Sequence, residues 1–212
     1  MPLVAYIYVL AAIFMRTLLL TITFLLLLSC GKTYRLSKTD LQFNPYKVGD
    51  TLIFQANSSL FDTVIVTEIV RQTIALGYPF SGNKDKGEGL SVIVDHKVSK
   101  PDSFPGRQRG SIFMIHNYDK GSYVDFWFTG HAKREAISNP HFVRDLDTIK
   151  TSLHSIKAGD FDDVIVIKAD TVYPNIFDRL SKIYWSKQFG YLKLEINEDI
   201  QWELIKRLRT IK

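Results

Sequence analysis

Residues 180–196, LSKIYWSKQFGYLKLEI, decide the fold class of this chain. The runs Leu180–Gln188 and Tyr191–Ile196 are strand-like and are separated by turn residues at Phe189-Gly190. The pattern predicts a hairpin in which Gly190 allows a backbone turn that a side chain would hinder. Tyr184 and Trp185 are neighbours on one strand, so we expect them to face opposite sides of the sheet.

Short strand-like runs continue on both sides of this hairpin. The clearest hairpin signal in the chain joins Ser111–Asn117 to Ser122–Thr129. Phe161–Lys168 is a nearly continuous apolar run and predicts a strand that is buried on both faces. About nine or ten short strands, separated by frequent turn residues, predict a mainly β fold: an antiparallel sandwich, barrel or half-barrel.

One segment of the chain favours a helix. Apolar residues recur in it with the spacing of one helical face: Phe142, Leu146, Ile149, Leu153 and Ile156. Weak helix formers such as Thr151 and Ser155 lie among them, and the same region also alternates like a strand. We therefore expect at most one short helix, within residues 140–156.

Residues 1–29 are almost entirely apolar and contain one charged residue, Arg16. About 20 apolar residues suffice to span a bilayer, but Arg16 would then lie near the middle, where it costs about 2.5 to 3.5 kcal/mol. Reading from Met15 instead gives the order of a secretory signal: a positive start, an apolar core and a small residue before the cleavage site. The sequence therefore predicts a signal peptide over residues 1–29, with translation starting at Met15.

The end of this segment, Leu27-Leu28-Ser29-Cys30-Gly31, resembles the lipobox of bacterial lipoproteins of the Bacteroidota type. Cys30 is the single cysteine of the chain. The resemblance implies cleavage after Ser29, a diacylglycerol on the Cys30 thiol and a fatty acid such as palmitate on the new amino group. Two or three acyl chains anchor a protein stably, whereas one does so only marginally. The alternative is a lone cysteine at the end of a transmembrane helix.

The residues after Cys30 bear on location. Gly31 is not the aspartate that retains lipoproteins in the inner membrane, so the resemblance implies the outer membrane. Residues 31–35 contain no acidic side chain, which favours the leaflet that faces the periplasm. We expect residues 30–48 to form a lipidated tether and residues 49–212 to form a single β-rich domain.

A second resemblance covers the C-terminal half. The runs Ala158–Ile167, Lys182–Lys193 and Trp202–Leu204 are similar to a pattern in β-rich bacterial lipoproteins of an uncharacterised family. That pattern is a G-x-F/Y-x-D-V strand, a Y-x-S/A-K-x-x-G-x-x-K hairpin and a short closing strand. Some members share a half-barrel form related to lipoprotein carriers. The resemblance implies a fold and an envelope location, and it supplies no catalytic residues.

Motifs and charge exclude several function classes. Acidic and basic residues interleave and the net charge is +5, so we expect no nucleic-acid partner, because nucleic-acid binders cluster their basic residues. The five histidines lack the H-x-x-x-H spacing of zinc sites. Phosphate-loop, nucleophile-elbow and dinucleotide-binding motifs are also absent from the sequence. We therefore expect no metal, no cofactor and no enzymatic activity.

Aromatic residues on two predicted hairpins are candidates for lining a ligand cavity. They are Tyr123, Phe126, Trp127, Phe128, Tyr184 and Trp185. A filled core uses the same residue types, so both interpretations stay open.

The leading hypothesis is a lipid-anchored outer-membrane lipoprotein that acts as a non-enzymatic binding or envelope-assembly module. Its partners would be the membrane, through the N-terminal lipid, and an envelope protein or an apolar ligand. The alternatives are a carrier of a lipid or other apolar ligand in a half-barrel cavity, and a hydrolase.

Overall fold

The structure is a computed structural model. It describes residues 13–23, 31–56, 60–76, 85–99, 109–128, 136–137, 141–168, 180–196 and 200–209. The chain divides into two compact units, one formed by Met1–Thr33 with Ala75–Lys86 and the other by Tyr34–Ile74 with Gly87–Lys212.

The first unit contains helix α1, residues 13–23. The hydroxyl of Thr17 donates to the carbonyl of Ile13 at 2.9 Å, and that of Thr21 donates to the carbonyl of Thr17 at 2.8 Å. Within the residues that the structure describes, no helix has both the length and the apolar character that crossing a bilayer requires. Cys30 and the remainder of the predicted signal peptide lie outside the described residues.

Most of the described chain is β-strand. The strands are β1 (Thr33–Tyr34), β2 (Thr51–Ala56), β3 (Phe61–Ala75), β4 (Lys86–Val98), β5 (Arg109–Tyr118), β6 (Gly121–Phe128), β7 (Ala136–Ile137), β8 (His141–Phe142), β9 (Ser152–Ile156), β10 (Gly159–Lys168), β11 (Leu180–Ser186), β12 (Gly190–Ile196) and β13 (Ile200–Leu208). Two further short helices are α2 (Lys38–Leu41) and α3 (Val143–Thr148).

The second unit is an open, curled antiparallel half-barrel. Among the described strands, eleven follow one another across the sheet in the order β7-β6-β5-β4-β3-β2-β13-β12-β11-β10-β9. This confirms the predicted mainly β fold, with a few more strands than the nine or ten expected. The short helix predicted within residues 140–156 is α3, and the alternating residues after it form β9.

The half-barrel consists of two meanders that are joined by one long-range pairing. Strands β2 to β6 are consecutive in the sheet, and so are β9 to β13, while β2 pairs with β13. At this junction Phe54 lies opposite Leu204 and Ala56 lies opposite Trp202. The pairing therefore determines how the two meanders meet.

The concave side of the half-barrel is filled by aromatic rings. Trp185 on β11 stacks on Phe113 of β5 with ring centroids 4.9 Å apart and contacts Phe126 of β6 edge-on at 5.1 Å. The Tyr191 ring also contacts Trp185 edge-on, with ring centroids 4.9 Å apart. All four side chains are 0% exposed, so the curl of the sheet brings the two meanders into one core.

The predicted hairpin of residues 180–196 is present, with Trp185 opposite Tyr191 and Gly190 in the turn at φ 78°. The prediction that β10 is buried on both faces is only partly correct. Val164 and Ile165 are fully buried, but Val166 is half-buried, and the pairing with β9 shifts between Phe161 and Val164.

Several residues of the predicted tether, 30–48, are buried within the second unit. Leu36, Phe43 and Tyr46 are only 6%, 4% and 3% exposed. The hydroxyl of Tyr46 accepts a hydrogen bond from the backbone N–H of Tyr191 at 3.0 Å. These residues belong to the same compact unit as the half-barrel, which comprises Tyr34–Ile74 and Gly87–Lys212. Isolated apolar residues in a polar segment form no periodic pattern, which is why the sequence did not indicate this packing.

Candidate binding site

A pocket of about 270 Å³ lies between α2, the β5–β6 turn and the start of α3. We call it the α2–α3 pocket. Its lining residues are Thr39 and Asp40 from α2, Lys120, Gly121 and Ser122 from the turn, and Phe142, Val143, Arg144 and Asp147 from β8 and α3.

Local sequence features fix each wall of this pocket. Ser37 caps α2: its hydroxyl accepts the N–H of Asp40 at 3.1 Å, and its own N–H donates to the Asp40 carboxylate at 2.7 Å. This reciprocal arrangement is a capping box, and it holds even a one-turn helix. Gly121, at φ 127°, allows the tight turn between β5 and β6.

The third wall is held by pairing and burial. Phe142 on β8 lies opposite Tyr123 on β6. Directly after it, α3 buries Val143 and Leu146, which are 5% and 1% exposed. These two apolar contacts fix α3 against the domain and leave Arg144 on the exposed side.

The charged groups of the pocket differ in their partners. Asp40 is engaged in the capping box, and the Asp147 carboxylate lies 2.5 Å from the Lys187 ammonium. Arg144 Nε lies 3.6 Å from the carboxylate of its neighbour Asp145, and these two side chains are 71% and 65% exposed. The acidic groups are therefore bound within the protein more firmly than the Arg144 cation.

Behind the pocket, aromatic rings form a column. The Arg144 guanidinium lies over the Phe142 ring at 4.3 Å, and Phe142 packs against Tyr123 with ring centroids 4.2 Å apart. Tyr123 in turn packs against His116 at 5.7 Å. The column thus leads from the pocket rim to a buried titratable pair.

That pair is His116 and Asp125, whose Nδ1 and Oδ2 atoms are 3.3 Å apart, with side chains 6% and 12% exposed. Burial lowers the pKa of His116 from 6.5 to about 4 and raises the pKa of Asp125 from 3.8 to about 6. In both cases the cause is that burial disfavours the charged form. Burial and the nearby Asp125 charge also raise the pKa of Tyr118.

A second histidine–carboxylate pair lies elsewhere in the sheet. His96 Nδ1 is 2.7 Å from Asp62 Oδ2, and these side chains are 1% and 0% exposed. Both pairs are thus buried. No group of three or more His, Cys, Asp or Glu side chains in the described ranges is placed to hold a metal ion.

The structure distributes the six aromatic candidates over different environments. Phe126 and Trp185 come together in the filled core, whereas Tyr123 stands beside the α2–α3 pocket. Trp127 is half-buried, and its carbonyl accepts a hydrogen bond from the Tyr191 hydroxyl at 3.3 Å. The side chain of Phe128 lies outside the described residues, as does Cys30.

Tyr184, the sixth candidate, faces away from Trp185 and joins a polar cluster. Its hydroxyl donates to Glu195 Oε1 at 2.9 Å, and burial together with this bond raises the pKa of Tyr184 to about 12. Burial opposes ionisation of Glu195, but hydrogen bonds from Lys182, Tyr184 and Lys193 lower its pKa overall. The predicted opposite orientation of residues 184 and 185 is confirmed by their burial, 184 being half-buried and 185 fully buried.

Sequence reasoning missed the α2–α3 pocket. Thr39, Lys120 and Arg144 come from three separate parts of the chain and carry no common motif. The one visible signal was the Gly121 turn, which the sequence predicts as part of a hairpin and not as part of a site.

Comparisons with protein-family models, with curated proteins and with solved structures found no match for this chain.

Proposed function

We propose that this chain is a bacterial lipoprotein, anchored through acylated Cys30 to the periplasmic leaflet of the outer membrane and acting as a non-enzymatic binding module. The observation that carries the proposal is the position of the single cysteine, which directly follows an apolar segment with the order of a signal peptide.

The packing of the second unit supports binding at its surface over carriage of an apolar ligand inside it. A carrier leaves space on its concave side, and ligand cavities commonly measure about 300 to 1,000 Å³. Here the rings of Phe113, Phe126 and Trp185 lie within 6 Å of one another and are fully buried. None of these three rings lines the α2–α3 pocket.

The burial of the histidine–carboxylate pairs supports a binding role over hydrolysis. A general base must come within about 2.6 to 3.2 Å of the proton it removes, directly or through one water. The side chains of His96 and His116 are only 1% and 6% exposed, which leaves little access for a substrate.

The experiment that tests the anchor is metabolic labelling with a palmitate analogue in a bacterial host, followed by separation of membranes. The unchanged chain is expected to carry the label and to remain with the membranes. Cys30→Ser removes the acyl acceptor, so we expect it to lose the label. Ser29→Ala keeps a small residue before the cysteine and serves as the matched control, and it is expected to be labelled normally. A labelled Cys30→Ser chain, or an unlabelled original chain, would refute lipid anchoring.

A further inference from the structure

Two cations on the rim of the α2–α3 pocket lack a strong partner. Lys120 makes no hydrogen bond or ion pair within the part of the chain that the structure describes. Arg144 contacts Asp145 at 3.6 Å, and both side chains are largely exposed. Exposed pairs of this kind add little stability and exchange partners readily. Both cations are therefore available to a ligand.

The carboxylates on the same rim are already engaged. Asp40 accepts the N–H of Ser37 at 2.7 Å, and Asp147 pairs with Lys187 at 2.5 Å. The lining thus carries two cations and two carboxylates, and the cations are the groups left available to a ligand, so an anion can bind at them although the lining is neutral overall. A ligand with two negative charges would be repelled by these carboxylates, so a monoanion fits better than a phosphate dianion.

The remaining lining includes two hydroxyl groups and an aromatic ring that can contact such a ligand. The hydroxyls of Thr39 and Ser122 make no hydrogen bond with described residues and can donate to an oxygen. Phe142 supplies an apolar wall, and its contact with Arg144 at 4.3 Å holds the guanidinium beside the pocket.

We propose that the α2–α3 pocket binds a small monocarboxylate with a compact apolar body. The carboxylate lies between Lys120 and Arg144, because a guanidinium can donate two parallel hydrogen bonds to carboxylate oxygens. The apolar body packs against Phe142. A volume of about 270 Å³ limits the ligand to a small molecule. The inference rests on the proposed role of the chain as a binding module.

The test is a titration of the full chain with benzoate in mild detergent, in which the chemical shifts of the backbone amides are monitored by NMR. The chain carries Cys30→Ser so that no acyl group is present. We expect saturable shifts at Thr39, Gly121 and Arg144, and no such shifts with benzamide, the neutral analogue of the same shape.

Variants extend the same titration. Lys120→Gln and Arg144→Gln each remove a charge-assisted hydrogen bond and are expected to weaken benzoate binding about tenfold or more. Lys97→Gln changes an exposed lysine that does not line the pocket and is the matched control, with unchanged affinity expected.

Three results would overturn the proposal: equal shifts from benzoate and benzamide, unchanged affinity in both pocket variants, or tighter binding of inorganic phosphate than of benzoate. Because the titrated chain is never acylated, its result is independent of the labelling experiment. Failure of carboxylate binding can therefore be distinguished from failure of lipid anchoring.

Discussion

The indole of Trp185 lies nearly parallel to the ring of Phe113, with centroids 4.9 Å apart and an interplanar angle of 8°. One ring belongs to β11 and the other to β5, so this contact joins the two meanders of the half-barrel. Aromatic pairs in such offset arrangements contribute about 0.5 to 1.5 kcal/mol beyond the area that they bury.

Removing this ring should destabilise the domain strongly. Trp185→Ala leaves a cavity at the centre of the core and should lower the free energy of unfolding by about 3 to 5 kcal/mol, measured by urea denaturation. Trp185→Phe should cost less, because it keeps a ring and also removes an indole N–H that has no acceptor in the described structure. Tyr184→Phe, on the opposite face, is the comparison: it keeps the ring and removes only the hydrogen bond to Glu195, so it should cost about 1 kcal/mol. Equal losses for Trp185→Ala and Tyr184→Phe would contradict this account of the core.

A buried ion pair ties β13 to the segment before β2. Arg207 donates to Asp50 at 2.6 Å and to the carbonyl of Pro45 at 2.7 Å, and the two charged side chains are 4% and 1% exposed. Asp50→Ala leaves the guanidinium buried without its counter-charge, so we expect a loss of about 3 to 5 kcal/mol in urea denaturation. Arg209→Ala removes an exposed arginine that follows the same strand and donates to the Gln188 carbonyl at 3.0 Å, so it should cost about 1 kcal/mol or less. Similar values for the two variants would disprove the role of the pair.

The His116–Asp125 pair predicts a pH dependence that single substitutions reveal. Asp125 has a raised pKa of about 6 in the folded protein, so its stabilising contribution is lost as pH rises from about 4 to 6. His116 has a lowered pKa of about 4, so its contribution increases as pH rises from about 4 to 6.5. The two trends oppose each other in the same window.

As pH rises from 4 to 6, the free energy of unfolding of His116→Gln should therefore fall relative to that of the original chain, because only the Asp125 trend remains. The free energy of unfolding of Asp125→Asn should rise, because only the His116 trend remains. Each change should be on the order of 2 kcal/mol, measured by urea denaturation across this range. Parallel pH profiles for all three proteins would show that burial does not shift these groups as described.

Gly190 is required for two separate reasons. Its φ is 78°, and a Cβ at this position would overlap with the hydroxyl end of the Tyr46 ring. Gly159, at φ 133°, has no atom within 4 Å of the corresponding position. Gly159→Ala should therefore cause only backbone strain, about 1 to 3 kcal/mol. Gly190→Ala should lose about 1 to 3 kcal/mol more through overpacking. Thermal unfolding of the two variants measures the difference, and equal losses would argue against the Tyr46 contact.

The local parts of the fold could be predicted from the sequence, because their causes are local. The strand-like runs on both sides of Gly190 and the turn at Gly121 each specify a hairpin within a few residues of chain. The helical spacing that starts at Phe142 indicated α3, and the alternation that follows it indicated β9.

The long-range parts could not be predicted in this way. Nothing in Thr51–Ala56 indicates that it pairs with a strand that starts at Ile200, because antiparallel pairing depends on backbone groups that every residue carries. The α2–α3 pocket exists only after three distant segments meet. Leu36 and Phe43 looked like isolated apolar residues, and only the folded sheet shows what buries them.

The β2–β13 pairing also orders the events of folding in time. Strands β2 to β6 can pair with one another as soon as they have been synthesised, but the other edge of β2 has no strand to pair with until residues 200–208 have also been synthesised. The aromatic core closes only after that step, since Trp185 and Phe113 lie on opposite sides of the junction. The first meander therefore has an unpaired strand edge until then, the kind of surface that is prone to aggregation during folding.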